Sequence, residues 1–216
     1  MLVQADHTGD KPLLDIAKEY IKEKYDKPGD VFLGLVHRID RPVSGVIIFA
    51  KTSKSLSRMT KLFKEREVQK TYWAVVRKLP QKEEGTVIHY LKKNTKNNKS
   101  SAFDEEVKDS KKAELSYKVL GSSDHYHLLE VYPHTGRHHQ IRVQLATIGS
   151  IIKGDLKYGS KRSNKDASIH LHARSVRFMH PVQKEEVFVT ANPPKRDVVW
   201  KYFLENLPTD AKSSPQ

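Results

Sequence analysis

In a chain of 216 residues, 39 Lys and Arg stand against 26 Asp and Glu, a formal charge of +13 that argues for a polyanionic partner, nucleic acid before acidic membrane. Cysteine is absent, which excludes disulfides, cysteine zinc sites and a thiol nucleophile and suits a reducing cytoplasm. No apolar run approaches the roughly 18 residues that span a bilayer, and the first residues lack the basic-then-apolar pattern of a secretory signal, so neither a membrane partner nor export is expected.

Residues 1–9 are polar after MLV. Asp10 reads as a helix N-cap and Pro12 as a first-turn proline. Leu13, Leu14, Ile16, Ala17, Tyr20 and Ile21 share one broad face, with Lys and Glu opposite, and Pro28-Gly29 closes the helix. From Leu35 to Lys51 runs LVHRIDRPVSGVIIFAK. Its polar cluster of His37, Arg38, Asp40 and Arg41 precedes GVIIFA, which predicts a fully buried strand. A carboxylate among cations is favoured in its ionised form. An ionised, positioned carboxylate serves as a nucleophile or general base. The same residues also fit a surface turn whose charges neutralise one another.

Ser53 reads as the N-cap of a second helix running to about Arg66, with Leu56, Met59, Leu62 and Phe63 as its buried stripe and Lys54, Arg58, Lys61 and Lys64 on the other face. Lys70 to Val76, KTYWAVV, reads as a strand. Residues 92–112 are rich in Lys, Asn and Ser and predict a mobile hairpin or insertion. AELSYKVL, YHLLEVY, IHLHARSVRF and EEVFVTA read as strands, residues 137–148 as a third helix stopped by Gly149, and residues 197–206 as a closing helix. Strands outnumber helices and neighbours look hairpin-linked. The expectation is an α+β fold with a mainly antiparallel mixed sheet and flanking helices, residues 1–206 forming one domain and 207–216 a polar tail.

Tyr72 suits either packing at a strand rim or a platform on which a base stacks. YPHTGRHHQIRVQL carries His134, Arg137, His138, His139 and Arg142. A metal is not expected there, because adjacent histidines on a helix face apart and no acidic ligand stands beside them. A helix start bearing Thr135, Gly136 and Arg137 suits a phosphate instead.

HRIDRPVSG followed by VIIFAK closely resembles HRLDxxTSG, the catalytic signature of the RluA-type pseudouridine synthases. The match falls on His37, Arg38, Asp40, Ser44 and Gly45, with Ile39 for Leu and Val43 for Thr. KTYWAVV is similar to that family's second motif. YPHTGRHHQIRVQL resembles its TGRTHQIRxHLA motif, with Gln144 where many members have His. Gly154 to Gly159 and Leu171 to Val182 match blocks that build the cleft wall, their histidines read as structural. The resemblance runs from Met1 to about Asn206.

It implies a pseudouridine synthase catalytic domain that isomerises uridine in a structured RNA, 23S ribosomal or transfer RNA, without cofactor or metal, as a cytoplasmic monomer. It assigns catalysis to Asp40, proton removal beside the target base to Tyr72, and the partner of Asp40 to Arg142. It puts Arg38 in the space left by a displaced uracil, with His37, Arg41, Arg137 and His139 on the RNA. Many relatives carry an S4 RNA-binding domain, and no segment of these 216 residues reads as one. The rival is a non-catalytic RNA-binding module on the same fold, which would need none of Asp40, Tyr72 and Arg142 together. A glycosidase needs paired carboxylates, and Asp40 has no acidic partner nearby. In relatives a β-strand and a Lys-Pro turn precede the part resembling MLVQADHTGDKPLLD, so the expectation is an N-terminally shortened chain without that first strand.

Overall fold

The computed structural model describes residues 2–4 and 9–207; what the sequence suggests for Met1 to His7 falls partly outside them, and the tail from Pro208 wholly. The elements in order are α1 (Leu13–Lys24), β1 (Gly34–Leu35), β2 (Ser44–Gly45), β3 (Phe49–Ala50), α2 (Ser53–Glu65), β4 (Gln69–Val76), β5 (Glu84–Asn94), β6 (Lys99–Phe103), β7 (Lys111–Ser122), β8 (His127–Pro133), α3 (Gln140–Thr147), β9 (Leu171–Met179), β10 (Glu186–Thr190) and α4 (Val198–Asn206). One sheet takes the order β10-β9-β4-β8-β7-β5-β6, all antiparallel, with β2 added parallel to β9; β1 and β3 form a separate two-stranded ribbon. This is the expected α+β architecture. The polar stretch 92–112 is built around the β5–β6 hairpin, and the Asn94 and Asn97 side chains accept the Lys96 and Lys99 amides in its turn.

β4 is buried on both faces, which is why KTYWAVV reads as a continuous apolar run. Trp73 and Val75 pack against Trp200, Phe203 and Leu207 around α4. Ala74 and Val76 pack, with Leu115, Leu129 and Val131, against Ile141 and Leu145 of α3. α2 contributes Met59, Leu62 and Phe63 to a third cluster with Val46, Val68, Val176 and Phe178.

Four local expectations need correction. Pro12, not Asp10, precedes α1; the Leu13 and Leu14 amides donate to the Leu2 and Val3 carbonyls, and Asp10 pairs with Arg41 at 2.5 Å. Thr52, not Ser53, caps α2, through a reciprocal box with Ser55. GVIIFA is not one buried strand. It splits into β2 and β3, because the Ile48 amide donates to His37 Nε2 at 3.0 Å instead of to a neighbouring strand. α3 starts at Gln140, not at residue 137. His139 adopts a left-handed φ of 53°, and the Gln140 side chain folds back to accept from the Thr135 hydroxyl at 2.8 Å and the Arg137 amide at 2.9 Å. Those bonds occupy the Arg137 amide that the phosphate expectation required.

Candidate active site

The turn after β1, the bulged strand β4 and the start of α3 converge on one cleft of about 1380 Å³. Asp40 sits on the turn, which the Val43 amide closes onto the Asp40 carbonyl at 2.9 Å, and its side chain is 31% exposed. From α3, Arg142 reaches it, Nη1 to Oδ2, at 3.1 Å. Tyr72 comes from β4 where the register with β9 shifts between Thr71 and Tyr72, a bulge that re-aims a side chain. His37, Arg38, Arg137 and His139 line the same cleft, so of the residues assigned to catalysis or RNA from the sequence Arg41 alone stands outside its lining.

The Asp40–Arg142 pair rests on a carboxylate that the sequence reading passed over. Asp155 takes the other side of the guanidinium, Oδ2 from Nε at 2.7 Å and Oδ1 from Nη2 at 2.9 Å. Asp155 is 1% exposed and Arg142 is 5% exposed. Burial disfavours the guanidinium charge, but the bonds and charges of Asp155 and Asp40 outweigh it and raise the Arg142 pKa. The signal was present in GDLKYG, where one carboxylate stands between glycines. Its buried destination is a tertiary fact.

Electrostatics assign the other groups. Burial, then the nearby Asp40 charge, push the Tyr72 hydroxyl up to about 12. At neutral pH it is a donor, and it accepts a proton only if its own is taken up elsewhere. Burial and Lys70 lower His37 to about 4; its ring stacks on Phe63 at 4.7 Å, so it is a neutral strut between the turn and α2. Burial, with Arg142 next, lowers His139 to about 3. His138 and His139 do not face apart as on a helix; their rings stack at 3.8 Å. Gln144 is fully buried, its amide donating to the Val87 and Ala113 carbonyls, and so ties α3 to the sheet. His170 and His172 are likewise buried, bonded to Asp197 and to the Ala191 carbonyl.

Basic side chains dominate the cleft lining: Lys64, Arg66, Lys70, Lys93, Lys118 and Arg177 join the arginines already named, against Asp40 and Glu130 as the acids. Arg38 is exposed at its mouth. Such a groove can hold a phosphate backbone above a single positioned carboxylate.

The fold matches a solved structure of human RNA pseudouridylate synthase domain containing 4 with a TM-score of 0.75, at 23% identity over 94% of this chain and 92% of that one. Human RNA pseudouridylate synthase domain containing 1 matches with a TM-score of 0.64 at 25% identity, over 82% and 74%. Among curated relatives, tRNA pseudouridine synthase C of Haemophilus influenzae is 33% identical over 187 residues, 78% of this chain and 76% of that protein. Ribosomal large subunit pseudouridine synthase C of Buchnera aphidicola is 35% identical over 189 residues, 84% of this chain but 59% of that longer protein. The family model described as RNA pseudouridylate synthase matches residues 3–147, across the Asp40 turn, Tyr72 and Arg142. The chain therefore belongs to the RNA pseudouridylate synthase family, enzymes that isomerise uridine in RNA.

Proposed function

We propose that this chain converts particular uridines of a structured RNA, transfer RNA or 23S ribosomal RNA, into pseudouridine, with Asp40 as its catalytic carboxylate. The observation that carries the reading is the Asp40–Arg142 contact at 3.1 Å on the floor of a cationic cleft, with Asp155 fixing the arginine from behind. Both RNA classes occur in the names of its relatives.

The target base leaves its stack at a cost of a few kcal/mol, least in a loop, and Arg38 at the cleft mouth is suited to the vacated space. The bond from ribose C1′ to uracil N1 breaks, the uracil turns, and C1′ joins C5. The C5 proton leaves and N1 regains one, so no external reactant is consumed. Asp40 drives the cleavage, by attack on the sugar or by removing a proton from it. Arg142 keeps its carboxylate aimed. Tyr72, protonated, packs beside the base and takes part in the C5 proton transfer. His37 and Arg137 brace the walls, and the lysines bind phosphates without regard to sequence. One chain carries Asp40, Tyr72 and Arg142 together, so a monomer suffices, working in the cytoplasm where these RNAs are found.

Pseudouridine mapping of total RNA with and without the gene identifies the target. Purified Asp40→Asn should then form no pseudouridine in that RNA while binding it within about fivefold of wild type, since the amide keeps the shape and loses the charge. Turnover near wild type in that variant would refute the assignment.

A further inference from the structure

Asp155 accounts for the Arg142 side of Asp40. The same oxygen, Asp40 Oδ2, has a second neighbour in His139, whose surroundings are unlike an RNA contact. Its side chain is 7% exposed, it stacks on His138, and the Tyr158 ring meets it edge-on at 5.6 Å. The Tyr158 hydroxyl accepts the Ser100 amide at 2.9 Å. Its own proton is then free for one acceptor, and His139 Nδ1 lies 2.9 Å away. An imidazole that accepts at Nδ1 carries its proton on Nε2. His139 Nε2 faces Asp40 Oδ2 at 3.8 Å.

We infer that Tyr158 and His139 form a positioning relay for Asp40: Tyr158 fixes the imidazole tautomer, and His139 Nε2–H is the second donor, beside Arg142, to the same carboxylate oxygen. The inference rests on Asp40 being the working carboxylate. At 3.8 Å the last contact is longer than a hydrogen bond, and such contacts commonly tighten only when substrate fills the site. The ring stays neutral across the working pH range. Burial opposes the imidazolium first, then Arg142, His138 and Lys157; Asp155 favours it, and Asp40 and Tyr158 are the remaining facing groups. Ser100 lies on β6 beside Lys99, whose ammonium sits 5.3 Å over the Tyr158 ring.

The test is turnover of C5-tritiated transfer and 23S ribosomal RNA transcripts, read as tritium release. Tyr158→Phe and His139→Ala should each lower kcat about tenfold with KM unchanged, the low end of what outer hydrogen-bond partners are worth at metal sites. The double variant should lose no more than His139→Ala alone, because the two act as one unit. His139→Gln, whose amide can donate to Asp40 and has no tautomer to fix, should recover most of kcat and become indifferent to Tyr158→Phe. Should His139→Ala fail to fold, Tyr158→Phe and His139→Gln carry the test. A raised KM at unchanged kcat would make His139 an RNA contact and overturn the relay, and so would additive losses. Inactive Asp40→Asn with fully active Tyr158→Phe sinks the relay alone, whereas active Asp40→Asn sinks the reading beneath it.

Discussion

Arg142 and Asp155 meet side-on, Nε to Oδ2 at 2.7 Å and Nη2 to Oδ1 at 2.9 Å, which leaves Nη1 as the one nitrogen turned to Asp40. The planar fork fixes both directions at once, which a lysine could not do. Asp155→Asn therefore removes a buried charge from beside a buried guanidinium. It should destabilise the fold by roughly 3–5 kcal/mol, as breaking a buried pair typically does, and loosen the aim of Arg142. Urea unfolding checks the first effect. A loss under about 1 kcal/mol would mean that water or Asp40 alone satisfies the guanidinium.

Gly45 lies against β9 with φ +121°, and a Cβ there would sit 2.2 Å from the Ala173 carbonyl oxygen and 2.6 Å from the Ala173 nitrogen. Both obstacles are backbone, held in the parallel β2–β9 pairing, so neither can swing away. The adjacent Ser44 Oγ also bonds His172 Nδ1 at 2.8 Å. Gly45→Ala should part β2 from β9 and displace the turn that carries Asp40, at a cost above roughly 1–3 kcal/mol. Thermal melting of the purified variant is the measurement, and an unchanged midpoint would contradict the close approach.

Burial and Lys70 hold His37 at about 4 in the folded chain, against an ordinary value of 6.5. The sign follows from proton counts: between those values the unfolded chain holds the extra proton, so stability falls as pH drops through that window. His172, also at about 4 through burial, adds to the same trend. Each contributes a slope of up to about 1.4 kcal/mol per pH unit. His37→Gln, which can still accept the Ile48 amide, should flatten the curve by one histidine's share. Urea midpoints from pH 7 to pH 4 decide it: equal slopes in both proteins would exclude His37 as a contributor.

What could be read in advance follows from how local each signal is. Asp40, Tyr72 and Arg142 stand in short motifs whose residue types already suggest their chemistry, and the cleft brings them together. β4 was legible because burial on both faces leaves an uninterrupted apolar run. GVIIFA misled for the converse reason: an apolar run records burial, not the partner of each amide, and the Ile48 amide goes to His37. Asp155 and Tyr158 gain their meaning from Arg142 and His139, more than ten residues away, in contacts that no periodicity encodes. His139 was legible as a polar residue near the site, but its left-handed backbone, which turns the ring inward beside Asp40, was not.

The charge of +13 makes a last prediction about binding. Lys64, Lys70, Lys93, Lys118 and Arg177 line one continuous cleft, where a backbone could meet several of them at once. If four such cations each neutralise a phosphate of single-stranded character, the slope of log Kd on log salt is about 3. Affinity should then drop about fiftyfold over a fourfold rise in salt. Lys70 is the most telling site to remove. Burial and Arg66 lower its pKa, and no described residue gives its ammonium a counter-ion or hydrogen bond, so a phosphate would be its first partner. Lys70→Gln should weaken binding and reduce the slope by about 0.7, the share of one phosphate. Filter binding of the mapped RNA across a salt series reads both numbers. A slope the same in variant and wild type would show that Lys70 does not contact a phosphate, and a flat dependence in the wild type would show that the cleft's charge is not used for RNA.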